Sequence, residues 1–166
     1  YGPVLYEEIF NEKSQFSEKP LIDLDHIVLD ETLMSKLKTR FGNKISTVTG
    51  RGNFAFTYSM KNFLNNFDMQ NSVFLEDRPL NLAKPNPKSL IESISGINSK
   101  CSLYIGDSME DLMMVEKCKE HGYDVSFCGI YGSSDEPELK YELFQKNKAS
   151  FILESIQELP KALNLV

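Results

Sequence analysis

Tyr104-Ile105-Gly106-Asp107-Ser108-Met109-Glu110-Asp111 is the stretch on which the reading of this chain turns. The apolar run 101–105 has the length of a short buried strand. It ends in a glycine and an acid. A helical pattern follows at once, with Leu112, Val115 and Cys118 at spacings of three. Asp107 is therefore expected at the carboxyl end of a strand, and Asp111 one turn into the next helix. In open α/β sheets ligands bind outside the carboxyl ends of the strands. Two carboxylates there suit a hard cation such as Mg²⁺, which takes oxygen ligands and keeps several waters. The same residues also fit a capping box, with Ser108 as the cap, Asp111 reaching back and Asp107 a plain loop residue. Both readings are open on this stretch alone.

Working outward, the pattern is regular. Short apolar runs at 45–48, 73–75, 125–130 and 151–153 predict further strands, separated by helical stretches. Phe56, Met60, Phe63 and Phe67 lie at helical spacing and read as core rather than a ligand box. Asn86 caps a helix with Pro87 at its first position, running through Ile94 to a stop at Gly96. The helix after Asp107 ends at His121-Gly122, where a histidine meets the last carbonyls. Residues 132–137 are turn-rich, 138–145 a short helix, and Ser155 caps a last helix to 163. Strands alternating with helices predict a parallel sheet with helices on both faces, a Rossmann-like α/β fold.

The amino-terminal part is different. Residues 3–11 read as a short helix and 12–20 as a polar loop. The segment 20–30 has no clear period. Leu33, Leu37 and Phe41 form one helical stripe stopped by Gly42-Asn43. The expected organisation is an amino-terminal helical segment over 1–41 and the regular core over 42–166.

The 166 residues suffice for one ordinary domain with a real core. Their 41% hydrophobic and 25% charged content is that of a globular protein. A net charge of −6 argues against a nucleic-acid or anionic-membrane surface. No apolar stretch is long enough to span a bilayer, and the start carries no signal-peptide pattern. Three cysteines, Cys101, Cys118 and Cys128, have no metal-type spacing and read as small buried residues of a reduced, cytoplasmic protein.

Two more features fall at the ends of βα units. Thr49-Gly50-Arg51 follows the first strand of the regular part. A hydroxyl and a glycine turn at a helix start can bind phosphate through backbone N–H groups and the helix dipole. Lys84, in Ala83-Lys84-Pro85-Asn86-Pro87, is held extended by the proline after it. It is a compact charge suited to a phosphate oxygen or a carboxylate pair.

Thr49, Lys84 and Asp107 with Asp111, in this order, resemble the second, third and fourth motifs of the haloacid dehalogenase-like superfamily of Mg²⁺-dependent phosphohydrolases. The resemblance covers 43–166. Val73-Phe74-Leu75-Glu76-Asp77-Arg78 is similar to archaeal-type members, with Asp77 and Arg78 expected to be structural or surface residues rather than catalytic ones. The resemblance implies hydrolysis of a small phosphorylated metabolite through an aspartyl phosphate. In that scheme Thr49 binds phosphate, with Gly50 and Arg51 beside it. Lys84 neutralises charge, Asp107 ligates Mg²⁺, and Asp111 ligates it or orients Lys84.

The family's nucleophile is the first acid of a DxDG motif ending the first strand. Here the DxD is Asp23-Leu24-Asp25, followed by His26 rather than glycine. Only Leu21-Ile22 precedes it as an apolar run, and too few residues separate it from Thr49 for a crossover helix and a strand. Asp23 is expected to cap a helix or lie in a loop. Residues 4–40 read as the tail of a helical cap and the helix returning to the core. The nucleophile strand is then expected before Tyr1, on a complementary amino-terminal segment. The alternative is a non-catalytic module that binds phosphate or Mg²⁺.

Overall fold

The computed structural model of the chain describes residues 2–18 and 21–165. Positions 19 and 20, within the expected polar loop, and the two terminal residues lie outside the described residues. Helix α1 (Pro3–Phe10) opens the chain, with Pro3 at its first position and Asn11 in the left-handed region at its end. A 3₁₀ turn, Leu21–Leu24, leads to α2 (Glu31–Phe41). Asp30 caps α2 by accepting from the Leu33 amide at 2.8 Å, and Gly42, at positive φ, ends it.

The regular part then runs β1 (Val48–Thr49), α3 (Asn53–Ser59), β2 (Val73–Phe74), α4 (Lys88–Gly96), β3 (Ser102–Gly106), α5 (Met109–Glu120), β4 (Val125–Ile130), α6 (Pro137–Lys146), β5 (Phe151–Leu153) and α7 (Leu159–Ala162). All strand pairs are parallel, as the alternation of strand and helix requires. They form two half-sheets. β1 pairs with β2, Val48 opposite Val73, and the second has the order β3-β4-β5, Tyr104 opposite Phe127.

β4 is the best buried strand, because it has a neighbour on each side and helices on both faces. Phe127 and Phe144 meet edge to face at 5.5 Å inside one apolar cluster with Met114, Val115 and Cys118. Gly129 makes that contact possible, since a Cβ there would stand 2.5 Å from the Phe144 ring. A second cluster joins Leu33, Met34 and Leu37 of α2 to Cys128 and Leu159. The helix returning from the amino-terminal segment is thus built into the core.

Several boundaries differ from the sequence expectations. The strand expected at 45–48 is Val48–Thr49 alone, because the Ile45 carbonyl is taken by the Asp68 amide in a loop contact. The aromatic helix stops at Ser59. Phe63 and Phe67 then pack from a 3₁₀ turn, Leu64–Asn66, against the cluster around α2 rather than continuing the helix. β2 ends at Phe74, where Leu75–Asp77 winds into another 3₁₀ turn. The last helix is a 3₁₀ turn, Ile156–Glu158, capped by Ser155, before α7. Cys101 lies exposed just ahead of β3, not buried in it, while Cys118 and Cys128 are buried. No helix among the described residues is long and apolar enough to cross a membrane.

Candidate active site

Asp111 sits at the third position of α5 with its side chain folded back over the end of β3. Only 3% of it is exposed. Its Oδ2 accepts from the Ser108 amide at 3.2 Å and the Ser108 hydroxyl at 2.8 Å, and the Asp111 amide donates back to Ser108 Oγ at 3.1 Å. That is a capping box. Its Oδ1 takes the Lys84 ammonium at 2.7 Å. The capping-box reading of this stretch holds for Asp111, which is a cap on one oxygen and the ion-pair partner of Lys84 on the other. Gly106 provides the space. A Cβ at Gly106 would stand 2.6 Å from Asp111 Oδ2, closer than real side chains approach.

The electrostatics follow from burial and partners. Burial acts to raise the Asp111 pKa. Burial is the largest single influence, but the Lys84 charge together with hydrogen bonds from Lys84, Ser108 and Tyr104 outweighs it, so the carboxyl is held below its ordinary value. Lys84 lies just before α4 and is itself mostly buried. Its ammonium also stands 5.6 Å from the centre of the Tyr104 ring.

Tyr104 is a site residue that sequence reasoning passed over. Its hydroxyl lies 2.9 Å from the Val48 carbonyl and 3.1 Å from Asp111 Oδ1, so one proton serves two acceptors. Burial, with Asp111 beside it, pushes its pKa up, and the phenol stays protonated. It ties the end of β1, next to Thr49, to the Lys84–Asp111 pair. The only signal in the sequence was a polar-tipped aromatic inside an otherwise apolar strand.

Thr49 ends β1, and its Oγ1 accepts from the Arg51 amide at 3.2 Å, leaving the hydroxyl its own proton to donate. Asp107 stands exposed at the turn between β3 and α5 and accepts no hydrogen bond from a described residue. Among the described residues no three His, Cys, Asp or Glu side chains converge as a metal cluster. Asp111 has both oxygens engaged, so Asp107 is the carboxylate of the pair left exposed.

The expected phosphate cradle at the start of α3 is corrected by two acids. Glu76 accepts from the Gly52 amide and Asp77 from the Asn53 amide, each at 2.8 Å. The Gly52 and Asn53 amides, at the cap and first position of α3, are thereby taken by a neighbouring loop rather than left for a ligand. Asp77 is structural, as the sequence reading had it, and Arg78 pairs with Glu92 of α4 at 2.8 Å. Asp23 and Asp25 end no strand. They belong to and follow the 3₁₀ turn Leu21–Leu24, where Tyr58 donates to Asp23 at 2.8 Å and Arg51 pairs with Asp25. His121 takes the Lys117 carbonyl at the end of α5, with Nδ1 2.8 Å from the oxygen.

No protein-family model matches the chain, and no curated protein matches it. Among solved structures it resembles a protein described as a haloacid dehalogenase-like hydrolase from Bacteroides fragilis. The TM-score is 0.59 and the identity 22%, over 77% of this chain and 56% of that one. The fold is haloacid dehalogenase-like. The chain spans little more than half the length of that hydrolase. In this Rossmann-like core, Thr49 and Asp107 stand at the carboxyl ends of β1 and β3. Lys84 is brought onto Asp111, beside Tyr104, by the loop before α4.

Proposed function

We propose that these residues form most of the active site of a Mg²⁺-dependent phosphohydrolase of the haloacid dehalogenase type, acting on a small phosphorylated metabolite. The observation that carries this reading is the buried Lys84–Asp111 pair, tied through Tyr104 to the end of β1 and flanked by an open Asp107. Phosphoryl transfer rests mainly on positioning and charge stabilisation, and these groups supply both. The Thr49 hydroxyl donates to a phosphate oxygen. Lys84, fixed by Asp111, neutralises charge on the phosphoryl group. Asp107 holds Mg²⁺, whose preference for one or two carboxylates plus waters and phosphate fits a single open acid. The bound ion supplies charge neutralisation on the phosphate oxygens. Asp111 acts by orienting Lys84.

The attacking carboxylate, in this reading, comes on a segment outside residues 1–166. It bonds to phosphorus as the ester oxygen leaves with a proton. Water then hydrolyses the acyl phosphate and restores the carboxylate. What supports an added segment is a cavity of about 920 Å³ between the two half-sheets. It is lined by Val48 of β1, Leu103 and Ile105 of β3, and Leu90 and Ile94 of α4. Ser102 also lines it, and its buried hydroxyl has no hydrogen-bond partner among the described residues. Strands lie about 4.8 Å apart, and a parallel apolar strand between β1 and β3 would join the half-sheets into one.

In the complete protein, Asp107→Ala should abolish Mg²⁺-dependent phosphate release and weaken Mg²⁺ binding by calorimetry. Unchanged release would sink the assignment. A second reading, a module that binds phosphate without turnover, is favoured by the engagement of Asp23 and Asp25 with Tyr58 and Arg51. The denatured mass of the natural protein separates the two. A single species of 18.9 kDa supports the module; a longer chain or a second bound fragment supports the enzyme.

A further inference from the structure

The DxD that fails as a nucleophile motif has a different place in the molecule. Asp25 meets Arg51, two residues after Thr49, and Asp23 meets Tyr58 near the end of α3, across the contact between the 3₁₀ turn Leu21–Leu24 and that helix. Arg51 Nη1 pairs with Asp25 and also lies 3.4 Å from Ser59 Oγ. Tyr58 donates to Asp23 from the same helix. Asp23 thus anchors the segment without touching Arg51, whereas Asp25 occupies the guanidinium.

We propose that Asp23-Leu24-Asp25 is a clasp between the amino-terminal segment and the core, and that Arg51 is a specificity residue exchanged from Asp25 to the phosphate of an arriving substrate. The proposal rests on Thr49 being the phosphate locus. Arg51 is two residues from Thr49, and its amide already donates to Thr49 Oγ1. The guanidinium is long enough to reach an anion on that hydroxyl. The arginine–aspartate pair is partly solvent-exposed at both ends, and such pairs are weak. A guanidinium on a phosphate makes stronger, often bidentate, bonds. Asp25 therefore holds Arg51 when no anion is present and loses it to phosphate. The hydrogen bond from Arg51 keeps the Asp25 carboxyl below its ordinary pKa, so Asp25 is ionised and able to hold the arginine at neutral pH.

The clasp makes segment and site respond together. Phosphate that takes Arg51 loosens the segment at Asp25 while Asp23 still anchors it to Tyr58.

The test uses the natural protein, inorganic phosphate as the probe, and two conservative variants. Asp25→Asn removes the competitor for Arg51, so phosphate should bind about two- to five-fold tighter, the range expected from losing one weak exposed pair. Hydrogen exchange over 21–30 should quicken in that variant without phosphate, and in the wild type on adding phosphate. Asp23→Asn should quicken the same exchange and leave phosphate affinity unchanged, which a merely structural role for both acids would not produce. If the wild type binds phosphate, Thr49→Ala abolishes that binding, and Asp25→Asn leaves it unaltered, the clasp is overturned while the site stands. If the wild type binds no phosphate, the site reading itself falls and the clasp with it.

Discussion

Asp111 shows how much one carboxylate can be asked to do when its surroundings are built for it. Its seat exists because residue 106 has no side chain. Gly106→Ala forces a methyl to within 2.6 Å of the carboxylate, so Asp111 must move off Lys84 and Ser108. Overpacking of this kind costs about 1–3 kcal/mol. We expect a lower denaturation midpoint together with loss of phosphate release, the second because Lys84 is no longer held. The pair itself is mostly buried, so removing one partner strands a charge. Lys84→Met should destabilise the fold by about 3 kcal/mol in denaturant unfolding. Its pH signature is specific. Because the folded pKa of Asp111 is lowered, its stabilising contribution is present above the ordinary carboxylate value and lost as pH falls through the folded one. Without Lys84 burial dominates and raises that pKa, which reverses the sign: the loss of stability in Lys84→Met relative to the wild type should be largest near neutral pH and shrink as pH falls and Asp111 is protonated. Asp107→Asn, by contrast, changes an exposed carboxylate with no hydrogen-bond partner among the described residues, and its melting temperature should match the wild type while Mg²⁺ affinity falls.

At the scale of elements, the contrast is between β4, which is enclosed, and α3, which is held from outside. The Phe127–Phe144 contact depends on Gly129. Gly129→Ala would push the Phe144 ring off the sheet, and a loss of about 1–3 kcal/mol is expected in thermal unfolding, with the phosphate site intact. Helix α3 has only seven residues and no side-chain cap of its own. Glu76 and Asp77 cap it across the loop from β2. Replacing Asp77 by Ala should cost about 1 kcal/mol, as a lost cap does. It should also loosen the turn that carries Arg51, seen as faster hydrogen exchange at 50–56. Undisturbed exchange there would mean that the cap is not what orders the turn.

For the whole molecule, the division of the sheet matters most. β1 and β2 share a two-residue ladder, while β3, β4 and β5 form a longer one, and the two meet across a cavity bridged by Tyr104. Amides of β4 should be the slowest to exchange and those of β1 and β2 among the fastest in the 166-residue chain. If a strand enters the cavity in the natural protein, protection of β1 and β3 should rise there relative to this chain. Equal protection in both would leave the cavity without an occupant.

The sequence alone determined what depends on near neighbours. The alternation of strands and helices, the cap at Ser108, the strand-end positions of Thr49 and Asp107, and the unsuitability of Asp23-Leu24-Asp25 as a strand end all rest on periodicity and spacing within a few residues. Tertiary structure decided the rest. Whether Asp111 serves a cation or Lys84 depends on a lysine 27 positions away reaching its second oxygen. Whether the start of α3 is open to an anion depends on Glu76 and Asp77 returning from β2. Whether five short strands close into one sheet or two depends on what lies between β1 and β3. Each of these is a contact between segments distant in the chain, fixed by packing and hydrogen bonding that no local pattern encodes.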